Sequence, residues 1–192
     1  RYLEQTDRAM SLFDVPLHNN LYNAATYGRH YDLRNIFKDT LVASDPWRAV
    51  TFVDNHDTQP EQALMSWVQD WFKPHAYALT LLRQEGFPCV FYGDMYGIPH
   101  NNIKPVKKLP RLLEIRQKYG WGEQKDYFNH PNRIAWTRGS GMVVIMSNNS
   151  VEPCDPNDPD RVDDGQWIQH GRPGQVFVDL LGNRLEEVVV ND

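Results

Sequence analysis

Up to about residue 120 the hydrophobic positions alternate between short continuous runs and stretches of helical spacing. Phe13-Asp14-Val15-Pro16-Leu17 is a short apolar run that predicts a strand. The mixed segment from Asn20 to Asn35, with Leu21, Ala24, Ala25 and Leu33 interrupted at Gly28, predicts helical pieces after it. Ala49-Val50-Thr51-Phe52-Val53 is β-prone without alternation, the pattern of a strand buried on both faces, and it ends abruptly in polar residues. Pro74 suits the first turn of a helix, where its missing N–H costs nothing. Ala76, Leu79 and Leu82 with Ala78 and Leu81 supply a wide apolar face, and Gly86 stops it. Cys89-Val90-Phe91-Tyr92 predicts a third strand, closed by Gly93-Asp94. A helix follows from Pro110 through Leu112, Leu113 and Ile115 to Lys118, with Gly120 past its end. Strands alternating with helices in this way predict a parallel sheet covered by helices.

The pattern changes after Gly122. Arg133 to Thr137, Met142 to Met146, Gln175 to Asp179 and Glu187 to Val190 read as strands with no helix between them. We therefore expect an α/β unit over residues 1–121 and the start of an all-β domain over 122–192. The proline- and acid-rich stretch from Glu152 to Gly165 breaks the spacing of a helix-loop-helix calcium loop and reads as a solvated surface loop.

Composition narrows the class. The chain has 192 residues, 41% hydrophobic and 12% aromatic, enough apolar material for a packed core. A net charge of -5, with lysines and arginines spread along the chain, gives no basic stripe and argues against a nucleic-acid partner. No apolar run approaches the ~20 residues that span a bilayer, so no membrane partner is expected. The first residues lack the apolar core of a leader, so any targeting segment would lie upstream; nothing selects between cytoplasm and secretion. Two cysteines, Cys89 and Cys154, are too few for a disulfide framework, and Cys89 reads as a small core residue. Asn148-Asn149-Ser150 is a formal glycosylation triplet that carries little weight.

Candidate chemistry gathers where the second strand ends. Asn55, His56 and Asp57 stand at the strand-to-loop junction, where α/β folds expose reactive side chains on a rigid base. A carboxylate beside an imidazole can hold sugar hydroxyls, one accepting and one donating, and a carboxylate also stabilises an oxocarbenium-like transition state. Taken alone, a His-Asp pair is more often a hydrogen-bonded turn.

The run Phe52-Val53-Asp54-Asn55-His56-Asp57-Thr58-Gln59 resembles a signature region of the α-amylase superfamily, glycoside hydrolase family 13, at the seventh strand of a (β/α)8 barrel. Phe13 to Leu17 resembles that family's sixth strand and Trp71-Phe72-Lys73-Pro74 the start of the helix after the seventh. Val90 to Gly97 is similar to its eighth strand and exit loop. Leu180-Leu181-Gly182-Asn183-Arg184 is similar to the late β-domain of liquefying bacterial amylases and their intracellular relatives. The resemblance covers nearly the whole chain. It implies strands six to eight of a TIM barrel followed by a partial all-β domain.

For function the resemblance implies a retaining glycosidase that cleaves internal α-1,4 bonds of starch- or glycogen-type glucans, through a nucleophile and an acid/base about 5 Å apart. Both would come from strands four and five, which this chain does not contain. Asp57 matches the transition-state-stabilising aspartate and His56 the sugar-binding histidine beside it. Gln59 and Tyr92 are further substrate-binding candidates. A closed barrel takes about 250 residues, so the expected partners are an α-glucan and the missing N-terminal half of the same enzyme. Alternatives are a glucan transglycosylase using the same residues, or a non-catalytic glucan-binding homologue. The resemblance also implies calcium, with its main site outside this chain. A second site would use the main-chain oxygens of Arg29 and Tyr31 with side chains at Asn132 and Asn148, where acids would bind calcium more firmly. Trp47, Trp67, Trp71, Trp121, Trp136 and Trp167 are stacking candidates, of which most should be core or interface, and Tyr92 and Tyr96, at a strand end, are better placed. His100 and Lys104 read as solvated surface.

Overall fold

A computed structural model of the chain describes residues 2–148 and 168–191. Trp167, Cys154, the Glu152 to Gly165 stretch, and Asn149 and Ser150 of the glycosylation triplet lie outside the described residues. The first part comprises α1 (Tyr2–Gln5), β1 (Leu12–Phe13), α2 (Val15–Tyr27), α3 (Leu41–Ser44), β2 (Ala49–Phe52), α4 (Lys73–Leu81), β3 (Phe87–Cys89), α5 (Tyr92–Tyr96) and α6 (Leu109–Tyr119). The second comprises β4 (Gln124–His130), β5 (Arg133–Arg138), β6 (Met142–Ser147), β7 (Val176–Phe177) and β8 (Val188–Val189). Strands β1, β2 and β3 pair in parallel in that order. Strands β4, β5 and β6 form an antiparallel sheet, and β7 pairs with β8.

Two expected strands move. The run Phe13 to Leu17 holds only the end of β1, because the Asp14 carboxylate accepts from the Leu17 N–H and starts α2 at Val15, with Pro16 in the first turn. The same carboxylate accepts from the N–H groups of Leu41 and Val42, so one buried side chain starts two helices. The third strand falls earlier than expected, over Phe87–Cys89, while Tyr92–Tyr96 coils into α5. Apolar runs this short do not distinguish strand from buried helix. Strand β4, with its polar face, carries no apolar run and was not expected.

Gly86 turns the chain from α4 into β3. Its φ of +82° lies in the left-handed region, and a Cβ there would come within 2.8 Å of the Thr51 methyl.

Register aligns Phe13, Val50 and Phe87 on one face of the parallel sheet. On the other side Ala49 is fully buried and packs into the core with Leu17, Leu21 and Leu81. The first face stays open: Phe13 is 56% and Phe87 53% exposed, and Cys89 is exposed as well, not in the core as its neighbours suggested. The expectation of strands covered on both faces thus holds for β2 and fails for β3. No second cover for this face lies among the described residues.

The core runs on from the helices into the antiparallel sheet, where Ile134, Trp136, Met142 and Met146 join it. Polar ties reinforce the join. Arg83 makes a two-pronged bond to Asp126 at 2.8 Å on each arm, and the Trp136 indole and Arg138 guanidinium both donate to the Leu82 carbonyl. The last two side chains satisfy a carbonyl left over at the end of α4. Among the described residues no helix is long and apolar enough to cross a membrane.

Candidate functional site

The polar segment after β2 is built by its own side chains. Asn55 Oδ1 accepts from the N–H groups of Asp57 and Thr58 at 2.9 and 3.0 Å, an Asx turn that sends the chain outward just past the strand. The Thr58 hydroxyl accepts from the Asn55 N–H and donates to Asp54 Oδ1 at 2.9 Å. His56 and Asp57 stand at the tip, with side chains 81% and 56% exposed and His56 Nε2 3.4 Å from Asp57 Oδ1. Gln59 is half-buried, its N–H bonded to the Asn55 carbonyl.

Beneath the tip lies a dry ionic network that sequence reasoning missed. The Lys73 ammonium at the start of α4 bonds Asp54 at 2.6 Å and Asp94 at 2.5 Å, with all three side chains at most 1% exposed. It also sits 3.2 Å from the centre of the Trp67 ring. The Tyr77 hydroxyl donates to the other oxygen of Asp94. Asp54 leads the Asn55 to Thr58 turn and Asp94 lies two residues beyond Tyr92, so one ammonium ties together the segments that follow β2 and β3. Burial pushes the Asp54 carboxyl up to about 7, against the pull of Lys73; the nearby Asp94 carboxylate adds to the rise. One cation cannot neutralise two buried carboxylates, so the cluster favours an extra proton. The Tyr77 phenol is driven above its usual range by burial and by Asp94.

His18 supports the same segment from α2. Its Nδ1 lies 2.6 Å from the Val53 carbonyl, its Nε2 2.8 Å from the Ser66 hydroxyl, and its ring stacks on Phe52. Burial lowers its pKa, outweighing the bond to Val53, and favours the neutral ring; Nδ1–H then donates to Val53 and Nε2 is left as acceptor. Lys73 carries no local signal of its burial, because its two carboxylate partners lie 19 and 21 residues away in the chain.

Tyr92 is 72% exposed and pairs with Tyr96, ring centres 4.6 Å apart, so both rings offer flat faces beside the network. Among the tryptophans, Trp136 is core and Trp67 half-buried against Lys73. Trp71 donates to the Ala25 carbonyl, and Trp47 and Trp121 are exposed.

The candidate calcium residues come together elsewhere, at the turn after α2. Asn132 Nδ2 donates to the Arg29 carbonyl at 2.6 Å, and Asn148 Nδ2 to those of Gly28 and Tyr31, each at 2.8 Å. A calcium ion needs oxygen lone pairs, and here amide hydrogens occupy the carbonyls that would supply them. So arranged, the residues do not fit the ion. Among the described residues no group of three or more His, Cys, Asp or Glu is placed to hold a metal.

A parallel sheet with helices on one face and polar side chains gathered past its strand ends defines the α/β class whose sites form at the carboxyl ends of strands. The fold is similar to that of alpha-amylase I from Eisenia fetida, with a TM-score of 0.59 over 94% of this chain and 45% of that one, at 15% identity. No family model matches the chain. In sequence it is 49% identical to the glucan 1,4-alpha-maltohexaosidase of Bacillus sp. (strain 707), over 99% of this chain and 36% of that protein. It is 46% identical to the alpha-amylase of Geobacillus stearothermophilus, over 99% of this chain and 34% of that protein. It is also 40% identical to the cytoplasmic alpha-amylase of Escherichia coli (strain K12), over 100% of this chain and 40% of that protein. The relatives that match this chain along its length at 40–49% identity are thus bacterial alpha-amylases and a maltohexaosidase. The chain spans about a third of the length of the first two relatives.

Proposed function

We propose that the protein to which this chain contributes hydrolyses internal α-1,4-glucosidic bonds of starch- or glycogen-type glucans with retention of configuration, and that Asp57 stabilises its transition state. The carrying observation is the placement of Asp57 and His56, adjacent and solvent-facing at the exit of a buried parallel strand, on a turn anchored from below by Asp54 and Lys73. A carboxylate so presented can stabilise the positive charge that develops on a sugar ring. Its imidazole neighbour can bind the ring's hydroxyls. Gln59 and the Tyr92 ring complete the glucan-binding surface in this reading. The names of the relatives, a maltohexaosidase and alpha-amylases, support the substrate class.

In the same reading, residues 1–121 form strands six to eight of a TIM barrel and residues 122–192 begin an all-β domain. The nucleophile and acid/base belong to the rest of the protein, whose strands would cover the open face at Phe13 and Phe87. The main calcium site of the whole protein, in this reading, lies in those other segments.

The test is Asp57→Asn in the complete protein. Because the side chain is exposed, folding should be unchanged while kcat on soluble starch falls about a thousandfold, or about 4 kcal/mol of barrier. Near-normal turnover would refute the assignment.

A further inference from the structure

We propose that Asn132 and Asn148 form a cation-independent clip that fastens the end of the antiparallel sheet holding the β4–β5 turn and the close of β6 to the Gly28 to Tyr31 turn, at the place where the resemblance implies a calcium ion. The support is a complete match of donors to acceptors. A primary amide has two N–H hydrogens. Asn148 Nδ2, on a side chain only 2% exposed, has two acceptors, the carbonyls of Gly28 and Tyr31. Asn132 Nδ2 also has two, the Arg29 carbonyl and Asn148 Oδ1 at 3.0 Å. Four hydrogens thus meet four acceptors. Three backbone carbonyls that converge at a tight turn are satisfied without any charge.

The surrounding backbone is engaged in the same sense. The Asn132 carbonyl accepts from the Asn148 N–H and the Ser147 hydroxyl, and the Pro131 carbonyl accepts from the Leu33 N–H. Asp32, the acid just after the turn, is held by Arg34 through a two-pronged bond, Nε to Oδ1 and Nη2 to Oδ2. A calcium ion wants six to eight oxygens and usually several carboxylates. To bind here it would have to turn both amides over, set oxygens against oxygens, and break the Asn132 to Asn148 bond. The carbonyl geometry that would suit a cation is kept, and neutral donors take its place. The clip is independent of the reaction proposed above.

The experiment uses the complete protein and the Asn148→Ala variant, each stripped with chelator and then titrated with Ca2+, with bound calcium counted per chain and amide hydrogen exchange followed at Tyr31 and Leu33. The Tyr31 N–H donates to the Gly28 carbonyl, so these two amides report the turn and its contact with the sheet. For the wild type, chelation should leave their protection unchanged relative to Val50 in β2. In Asn148→Ala both should exchange at least tenfold faster, with and without Ca2+, while the number of calcium ions per chain stays at the wild-type value. The proposal is overturned if chelation alone opens Tyr31 and Leu33 in the wild type ahead of Val50, or if Asn148→Ala binds one calcium fewer per chain. Should Asn148→Ala not fold, Asn132→Ala at the half-buried partner gives the same two readouts.

Discussion

The Lys73 network and the Asn132–Asn148 clip both hold a turn against a neighbouring element, yet with opposite chemistry. Lys73 joins two segments through full charges in a site with almost no solvent, where each ion has lost its water and must be compensated by its neighbours. The clip joins two segments through neutral amides, whose burial costs less and whose bonds are each worth about 1 kcal/mol. A charged anchor is therefore strict about its partners and responsive to protons; a neutral one is neither. The strict anchor lies under the turn that carries His56 and Asp57. In the function proposed above that turn is to be held in one geometry, whereas the join between helices and sheet has Arg83, Trp136 and Arg138 to share the work.

The sharpest way to break this comparison is to remove the cation. Lys73→Met keeps the length and apolar stem of the side chain and leaves Asp54 and Asp94 buried without a counter-charge. We expect a loss of about 3–5 kcal/mol in unfolding free energy, measured by urea denaturation. Asp54→Asn combined with Lys73→Met should recover part of that loss, because it removes one of the stranded charges. A single Lys73→Met costing less than Asn148→Ala would reverse the ranking of the two anchors. Asn148→Ala should cost about 1–3 kcal/mol, since it strips donors from the Gly28 and Tyr31 carbonyls without leaving a buried charge behind.

These anchors also mark the limit of what the sequence could tell. Helices α4 and α6 were legible from apolar spacing with Pro and Gly at the ends, and β2 from its unbroken apolar run. The parallel order followed from the alternation of elements. Strand β4 was not, because its polar residues have no periodic signature. The Phe13 to Leu17 run misled because its Asp14 is the cap of α2. Within the site, the positions of His56, Asp57 and Gln59 past a strand end could be read from the chain, whereas Tyr92, expected as the last residue of the third strand, lies in α5. What holds them could not, because Lys73, Asp54 and Asp94 are drawn together across 40 residues by folding alone. The asparagine pair was visible as two residues at the places of expected ligands. Only the geometry shows that their hydrogens face the carbonyls.

The smallest effect separates the two anchors by pH. An unfolded aspartate titrates near 3.8, and burial raises Asp54 to about 7, so between those values the folded protein holds a proton that the unfolded chain has released. The stabilisation from this group is complete below the unfolded value and is lost as pH rises through about 7. A single such group gives a slope of at most ~1.4 kcal/mol per pH unit, falling to about half that near pH 7, where the folded carboxyl is half protonated. Unfolding free energies measured at pH 5, 6 and 7 should therefore fall with rising pH in the wild type, and fall less steeply in Asp54→Asn. Asn132→Ala should leave the wild-type slope intact, because the clip's own bonds run from neutral side-chain amides to carbonyl oxygens. Hydrogen exchange offers a local version: after correction for intrinsic rates, the Thr58 and Val68 amides beside Asp54 should open more readily as pH rises from 5 to 7, while those of Tyr31 and Leu33 stay level. Equal pH responses in the two places would mean that the extra proton does not reside in the network, and that the two anchors differ in polarity alone.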